Sequence, residues 1–266
     1  MAEVAIDGGT LAYSVDGPHD KPPLLLSNAL GTAMPFWDRQ VAAFARDFRV
    51  IRYDQRGHGR SSAPAGEYTL AALCQDALDV LDAAGVARAD ICGLSLGGLT
   101  AMWLAVHARE RIGRLVLANT AARIGSLAQW QERIDLIGAR GLAPVADSAP
   151  ERWFTEGYRA AHPDVVGACQ GLVLDASPAG YCSCVAAIRD ADLRSIIHHI
   201  TAPTLVIAGQ HDPVTTPAEA AVVCKAIPGA RYAELQAAHF SNIEQADAFN
   251  RAVLEFLAGP QIPRLS

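Results

Sequence analysis

One serine in this chain stands in a setting that can turn a hydroxyl into a nucleophile. Ser95 lies in a G-x-S-x-G pattern within residues 93–98, between an apolar run at 90–92 and a helix-like segment at 99–107. The small residues permit the tight strand-to-helix turn that holds a strained serine at the edge of a sheet. There the backbone N–H of Leu96 would point towards the oxygen of an attacked carbonyl group. A glycine-rich turn with a capping serine shows the same pattern, so catalysis requires partner residues.

A serine nucleophile needs a general base, and the base needs a carboxylate that fixes its tautomer. His239 follows the last apolar run of the chain, and Asp212 follows the run at 204–208. The segment 216–219, Thr-Pro-Ala-Glu, indicates that a helix begins shortly after Asp212. Both side chains are therefore expected on loops at one edge of a sheet, in the chain order Ser, Asp, His. This order predicts a catalytic triad.

Other residues could fill these two roles. His211 adjoins Asp212 and could act as the base only if its loop turned inwards, while His58 lies in a glycine-rich turn. The histidines at 198 and 199 are expected in solvent. Asp212 could instead be an aspartate at a helix entry. We prefer His239 because it combines the chain order, the edge position and preceding small residues.

Two further segments are expected to support the site. A second oxyanion donor should come from the loop after the first parallel strand, at residues 27–32, where the position indicates the backbone N–H of Leu30. The turn at residues 53–61 carries several charges, which we expect to brace loops rather than to react.

Eight short segments are predicted as strands, at residues 4–6, 11–15, 24–27, 50–53, 90–92, 115–118, 204–208 and 232–235. The first two alternate in polarity around the turn at 7–9, which is typical of an antiparallel hairpin. The other six are too continuously apolar to have a face in water, which indicates buried parallel strands. Helical patterns lie between them, most clearly at 70–84. The sequence predicts an α/β fold with a mostly parallel sheet and helices on both faces.

The alternation stops at about residue 122 and resumes at about 201. We therefore predict a core of residues 1–123 and 201–266, with residues 124–200 as a helical cap over the carboxyl edge of the sheet, where ligands bind. Trp130 and Trp153 in the cap are expected to line the pocket, although Trp153 could equally be core. The residues after about 259 look like a loose tail.

The composition excludes several classes of protein. The 266 residues are 51% hydrophobic and 19% charged, with a formal net charge of −6 and no run of Lys or Arg, so nucleic acid is not expected as a partner. Neither a signal peptide nor a transmembrane segment is recognisable, which predicts a cytoplasmic protein without a membrane partner. The six cysteines are expected to be reduced, and Cys182 and Cys184 alone make a poor zinc site, so no metal is predicted.

Several segments carry a resemblance that covers nearly the whole chain. The D-x-R-G-x-G-x-S turn at 54–61, the serine turn at 93–98, Asp212 and His239 resemble the α/β-hydrolase superfamily. More narrowly, residues 27–32, 52–59, 92–99 and 119–125 are similar to the 3-oxoadipate enol-lactonases of aromatic catabolism. That resemblance implies an α/β-hydrolase fold with a helical cap.

The resemblance also implies a reaction, the hydrolysis of a five-membered enol-lactone with an acetate side chain to 3-oxoadipate in the β-ketoadipate pathway. No cofactor is implied. Ser95 would attack the lactone carbonyl, His239 would carry the proton and Asp212 would orient His239, while the N–H groups of Leu30 and Leu96 hold the oxyanion.

A substrate with a free carboxylate needs a cation in a mostly apolar pocket, because the carboxylate loses its hydration there. Arg123 follows the predicted strand at 115–118 and should lie where the cap begins, so we expect it to bind the carboxylate. Arg152 is the reserve candidate. Arg123 could instead be a surface residue that ties the cap to the core.

Other functions use the same residues. A general carboxylesterase or a cofactor-free haloperoxidase-like hydrolase would have the same triad, and some ligand-sensing receptors of this fold retain it with slow turnover. Haloalkane dehalogenases and epoxide hydrolases are disfavoured, because they carry Asp where this chain has Ser95.

Overall fold

The computed structural model describes residues 1–259. Within them, one eight-stranded sheet has the order β1-β2-β4-β3-β5-β6-β7-β8. The pairs β1–β2 and β2–β4 are antiparallel, and the other pairs are parallel. The strands are β1 Ala2–Ile6, β2 Gly9–Asp16, β3 Pro23–Ser27, β4 Arg49–Tyr53, β5 Ala89–Leu94, β6 Ile112–Ala118, β7 Thr204–Gly209 and β8 Arg231–Leu235. All eight predicted strands are confirmed.

The first two strands form the predicted hairpin, and β1 lies at the edge of the sheet. Ile6 pairs with Gly9 at the end of the ladder. Between them, Gly8 has a φ of +84°, a left-handed conformation that glycine adopts without a steric cost.

Helices fill the connections between the strands. Within residues 1–259 they are α1 Asp38–Phe44, α2 Leu70–Ala83, α3 Leu96–His107, α4 Leu127–Arg140, α5 Ala143–Ser148, α6 Pro150–Trp153, α7 Glu156–Ala161, α8 Pro163–Leu174, α9 Pro178–Asp190, α10 Pro217–Ala226, α11 Ser241–Glu244 and α12 Ala246–Ala258. The helix start predicted at 216–219 is confirmed, since the side chain of Thr216 caps α10, and the side chain of Thr69 caps α2 in the same way.

The sheet is covered on both faces, as predicted. Along β3, Leu25 belongs to one buried cluster with residues of α2 and α3, whereas Leu24 and Leu26 belong to a second cluster with residues of α1 and α12. This alternation follows from the two-residue period of a strand. Because both sets of side chains are fully buried, β3 is apolar at successive positions. The strand predicted at 232–235 is present as β8, but most of its side chains are exposed, so the burial expected for it was wrong. The α/β-hydrolase architecture is confirmed.

Helices α4 to α9 form one long connection between β6 and β7. They pack into both buried clusters, with Val145 and Trp153 in the cluster of α1 and Ile188 in the cluster of α2. Residues of this connection line one cavity together with residues that follow the carboxyl ends of β3, β5 and β8. The division into a core of 1–123 and 201–266 and a cap of 124–200 stays a prediction, and the tail predicted after residue 259 lies outside the described residues.

Within residues 1–259, no single helix is long and apolar enough to cross a bilayer. By length and composition alone, α8 and α9 would suffice as a pair, but they are bent by 93° relative to each other.

Candidate active site

Ser95 lies at a sharp turn between β5 and α3. Its φ of 57° and ψ of −114° are unusual for a residue with a side chain, which is the strained geometry expected of a serine between a strand and a helix. The turn requires Gly93 and Gly97, because a Cβ on Gly93 would collide with the carbonyl of Gly97 and one on Gly97 with the carbonyl of Ser27. Ser95 is 7% exposed and lines a cavity.

Asp212 and His239 form a hydrogen-bonded pair beside this turn. His239 Nδ1 lies 2.8 Å from Asp212 Oδ2, which also accepts bonds from Thr215 Oγ1 at 2.8 Å and Asn119 Nδ2 at 3.0 Å. The other carboxylate oxygen accepts from the backbone N–H groups of Val214 and Thr215. Since an ionised carboxylate only accepts, the proton of His239 is on Nδ1, and Nε2 is left as an acceptor. His239 also lines the cavity.

The carboxylate of Asp212 is held in its charged form. Burial alone raises the pKa of Asp212, but the proximity of His239 and the bonds from His239, Asn119 and Thr215 lower it by more, so the pKa lies below its ordinary value. The helix-entry role is filled by Thr216, whose side chain caps α10. His211 is exposed on the same loop and does not line the cavity.

Asn119 is a site residue that our sequence analysis missed. It follows β6 with a positive φ of 44°, and its Nδ2 donates to Ala238 O as well as to Asp212. Its Oδ1 accepts a bond from Ser241 Oγ. Asn119 thus connects the acid loop with the histidine loop. An asparagine directly after the strand next to β7 was the available signal, because asparagine tolerates a left-handed turn.

Two backbone N–H groups beside Ser95 are available for a ligand. Leu30 follows β3 and lines the cavity, and Leu96 is the first residue of α3. Within the described residues, neither N–H donates to a protein acceptor, although the N–H groups of Gly31 and Gly98 do. The first N–H groups of a helix have no partner inside the helix, which explains Leu96.

The loop that carries Leu30 rests on a buried histidine. His58 Nε2 accepts from the N–H of Gly31 at 3.0 Å, and its Nδ1 lies 3.1 Å from Arg56 O. Because the Gly31 N–H can only donate, His58 is neutral and carries its proton on Nδ1. Burial lowers the pKa of His58 to about 4.

This neutral His58 should make stability depend on pH. The folded pKa of about 4 lies below the ordinary 6.5, so between these values the unfolded chain binds a proton that the folded chain does not. The free energy of unfolding should therefore fall by roughly 3 kcal/mol as the pH drops from 6.5 to 4. His58→Gln should flatten this slope, measured by urea unfolding at several pH values. An unchanged slope would show that other groups cause the acid sensitivity.

The cavity next to Ser95 has a volume of about 360 Å³ and is bounded by the loops of the sheet edge and by helices α4, α5, α6 and α9. Both tryptophans named from the sequence line it. The indole of Trp130 donates to the carbonyl of Ile124 at 2.6 Å. Trp153 stacks on Phe240 with 4.6 Å between ring centroids and is only 8% exposed, so it is a core residue as well as a wall of the cavity.

The expectation for Arg123 needs correction, because this residue does not line the cavity. It borders a separate surface depression and lies 3.6 Å from Asp192, which follows α9. Its position fits the alternative we considered, a residue that ties the helical connection to the strand β6. The next two residues, Ile124 and Gly125, do line the cavity, and the chain turns at Gly125, where φ is +64°, before α4 begins.

Two other arginines line the cavity, Arg133 on α4 and Arg152 on α6. Within residues 1–259 neither forms a salt bridge with a carboxylate. The guanidinium of Arg133 lies over the ring of Trp130, 5.4 Å from its centroid. Burial and the positive charge of Arg133 lower the pKa of Arg152. Glu132 also lines the cavity but forms no salt bridge with either arginine within residues 1–259, so the two positive charges favour a bound anion.

The described residues contain no group of three or more His, Cys, Asp or Glu side chains placed to hold a metal ion. The six cysteines are free thiols, and burial raises the pKa of Cys184 and Cys182, which disfavours the thiolate form that metals bind.

Comparison with known proteins agrees with this geometry. Residues 22–246 match the family model of the alpha/beta hydrolase fold. The chain is 43% identical to 3-oxoadipate enol-lactonase 2 of Acinetobacter baylyi and 37% identical to 3-oxoadipate enol-lactonase 1 of the same organism, in each case over 91% of both proteins. The crystal structure of the enol-lactonase from Burkholderia xenovorans LB400 is 45% identical, has a TM-score of 0.95 and matches 97% of this chain and 100% of its own. The chain therefore belongs to the α/β-hydrolase superfamily and, within it, to the 3-oxoadipate enol-lactonase family of hydrolases.

Proposed function

We propose that this protein hydrolyses 3-oxoadipate enol-lactone to 3-oxoadipate in the β-ketoadipate pathway. The observation that carries the proposal is the content of one cavity, which contains Ser95 and His239 together with two arginines that have no carboxylate partner among the described residues. The first pair suits the lactone carbonyl, and the arginines suit the free carboxylate of the same molecule. The names of the two Acinetobacter relatives support this assignment.

In the proposed reaction, Ser95 Oγ attacks the lactone carbonyl while His239 Nε2 takes its proton. The N–H groups of Leu30 and Leu96 donate to the oxyanion of the tetrahedral intermediate. The ring C–O bond then breaks, and the enol oxygen leaves with the proton from His239 and tautomerises to the ketone. Water, deprotonated by His239, attacks the acyl-enzyme, and collapse of the second intermediate releases the new carboxylate and returns the proton to Ser95. Asp212 stabilises the imidazolium in both halves.

The substrate carboxylate binds at Arg133 and Arg152 in this proposal. Arginine presents a planar pair of N–H donors to a carboxylate, and a partly desolvated charge pair is stronger than one in water. A bound carboxylate would also oppose the two effects that lower the pKa of Arg152, which are its burial and the positive charge of Arg133. The role that we first expected of Arg123 is thus transferred to residues of α4 and α6.

Replacing Arg133 by methionine should discriminate between charged and neutral substrates. Methionine keeps an apolar stem over Trp130 but removes the charge. The fall in kcat/KM for the carboxylated lactone should therefore correspond to about 1.5–3 kcal/mol of lost transition-state stabilisation, the usual value of a charge-assisted hydrogen bond. Hydrolysis of a neutral ester should hardly change. Arg123→Met is the matched control, because Arg123 lies outside the cavity, and it should leave both substrates unaffected. Equal losses on both substrates in Arg133→Met would point to a structural arginine.

One assay tests the function itself. The purified protein is given 3-oxoadipate enol-lactone beside an aryl acetate, and steady-state turnover is measured for both. A strong preference for the lactone is expected. Comparable rates would favour a general carboxylesterase, and binding of the lactone with very slow turnover would favour a ligand sensor.

The remaining parts of the proposal concern the setting of the reaction. We propose that helices within residues 124–200 act as a cap. The support is the nine cavity-lining residues that they contribute, which are Gln129, Trp130, Glu132, Arg133, Val145, Arg152, Trp153, Tyr181 and Ile188. His239 carries every proton between Ser95, the leaving oxygen and water, and Asp212 stabilises the imidazolium, so the reaction needs no cofactor. The six free thiols support a cytoplasmic location, since reduced cysteines are typical of that compartment.

A further inference from the structure

The peptide group that links Ala29 to Leu30 is held from one side only. Its carbonyl, Ala29 O, accepts from Thr32 Oγ1 at 2.8 Å, from Gln55 Nε2 at 3.1 Å and from the N–H of Thr32 at 3.3 Å. Its N–H, that of Leu30, donates to no protein acceptor within residues 1–259. Three donors thus converge on one end of the peptide, and the other end is left for a ligand.

Because the peptide is planar, the hydrogen bonds to Ala29 O also determine where the N–H of Leu30 points. In a trans peptide the carbonyl and the N–H point in opposite directions, and the described residues contain no cis peptide bond. Fixing Ala29 O therefore also fixes the line along which the Leu30 N–H donates. Hydrogen bonds to a carbonyl also polarise its peptide, which strengthens the N–H as a donor.

One of the three donors, Gln55, belongs to a segment that contacts the loop at several points. Asn28 Nδ2 donates to Tyr53 O at 2.8 Å, Gln55 donates to Ala29 O, and His58 accepts from the N–H of Gly31. Gln55 is only 4% exposed. Residues 53–58 therefore form a rigid support for the loop that carries Leu30, which is more than the general bracing of loops expected from the sequence.

We propose that Gln55 and Thr32 are positioning residues for the oxyanion site, holding and polarising the Ala29–Leu30 peptide so that its N–H meets the developing oxyanion. This inference rests on the proposed function, specifically on the role of the Leu30 N–H. Gln55 and Thr32 act through the peptide and touch no reacting atom. Their effect should appear in the transition state, where the negative charge develops, and hardly at all in substrate binding.

The test uses the variants Gln55→Met and Thr32→Val, which remove one donor each with little change in volume. Gln40→Met and Thr204→Val are matched controls. Gln40 is a fully buried amide that donates to Asn242 O. Thr204 is a buried residue at the amino end of β7, and its hydroxyl donates to Ala202 O. The kinetic constants are measured with the lactone. Binding is measured with trifluoroacetophenone, whose ketone forms an oxyanion when serine adds to it, and with adipate, which does not.

Each test variant should lower kcat about tenfold, which is less than the loss of a whole oxyanion donor causes. The double variant should lower kcat about a hundredfold, which is comparable to that loss. Affinity for trifluoroacetophenone should fall by the same factor as kcat, while KM and the affinity for adipate stay within about twofold. The two controls should lower the melting temperature without this kinetic signature.

The outcomes separate two failures. If the wild-type protein hydrolyses the lactone and both test variants behave like the controls, the positioning role is overturned and the proposed function stands. If trifluoroacetophenone and adipate lose affinity equally, Gln55 and Thr32 shape the whole pocket and the inference is also overturned. A wild-type protein that neither hydrolyses the lactone nor binds trifluoroacetophenone would overturn the proposed function and this inference together. Thr32→Val keeps the test decisive if Gln55→Met does not fold.

Discussion

Replacing Ser95 by alanine should lower kcat/KM for the enol-lactone by on the order of 10⁴-fold or more, because without a nucleophile only the oxyanion donors and the binding contacts remain. The fold should persist. Alanine is smaller than serine and accepts the same backbone conformation at least as well, and the Ser95 side chain donates no hydrogen bond within the described residues. Activity is measured by the loss of the lactone and stability by thermal unfolding followed by circular dichroism.

A second serine provides the control for this experiment. Ser148 ends α5, is exposed and does not line the cavity, although its hydroxyl donates to backbone carbonyls of the same helix. Ser148→Ala should keep wild-type kinetics. If Ser95→Ala retained more than about a tenth of the wild-type rate, the nucleophile would have to be assigned elsewhere.

The elements that carry Ser95, Asp212 and His239 could be predicted because their signals are local. The strand expected at 204–208 is β7, Thr204–Gly209, and its continuous apolar character follows from burial on both faces. Parallel strands end at one edge of the sheet, so three loops that are distant in sequence had to converge there. The α/β class and the shared sheet edge therefore followed from periodicity and connectivity, whereas the α/β-hydrolase fold was implied by the resemblance.

The placement of the arginines could be predicted only in part, because the reserve candidate Arg152 lines the cavity and Arg123 does not. Arg123 lies five residues after the end of β6, and its side chain pairs with Asp192 instead of entering the cavity. The orientation of α4 depends on its packing against α9 and α5, which no local pattern specifies. One signal was available, since Arg133 lies three residues after Trp130 and residues three apart share a helix face. A tryptophan expected in the pocket therefore also indicated this arginine.

Hydrogen bonds between distant segments were the other part that the sequence could not reveal. Gln55 reaches Ala29 across 26 residues, and Asn119 reaches Asp212 across 93. Side-chain amides occur at the surface, in the core and in functional sites, so the residue type alone does not indicate which partner such a side chain binds. Only the geometry shows that these two amides orient the peptide of Leu30 and the carboxylate of Asp212.

The same geometry determines how an asparagine at position 212 would orient. Its amide nitrogen can replace Oδ1, which faces the N–H groups of Val214 and Thr215, or Oδ2, which faces His239, Asn119 and the Thr215 hydroxyl. At the position of Oδ1 the amide nitrogen, itself a donor, would face two backbone N–H groups that can only donate. At the position of Oδ2, the Thr215 hydroxyl can rotate and His239 can change tautomer, so both can accept from the amide nitrogen. Only Asn119 Nδ2 would then face another donor. The second orientation therefore loses fewer hydrogen bonds.

Asp212→Asn should consequently lower kcat by on the order of 10⁴-fold, nearly as much as the loss of Ser95. In the favoured orientation the amide donates to His239 Nδ1, which puts the imidazole proton on Nε2, the nitrogen that must accept the proton of Ser95. The fold should be retained, because most bonds around position 212 survive, and KM should change little. A neutron or NMR measurement of the His239 tautomer checks the cause directly. Near-normal activity in this variant, or a proton still on Nδ1 in an inactive one, would contradict the role argued for Asp212.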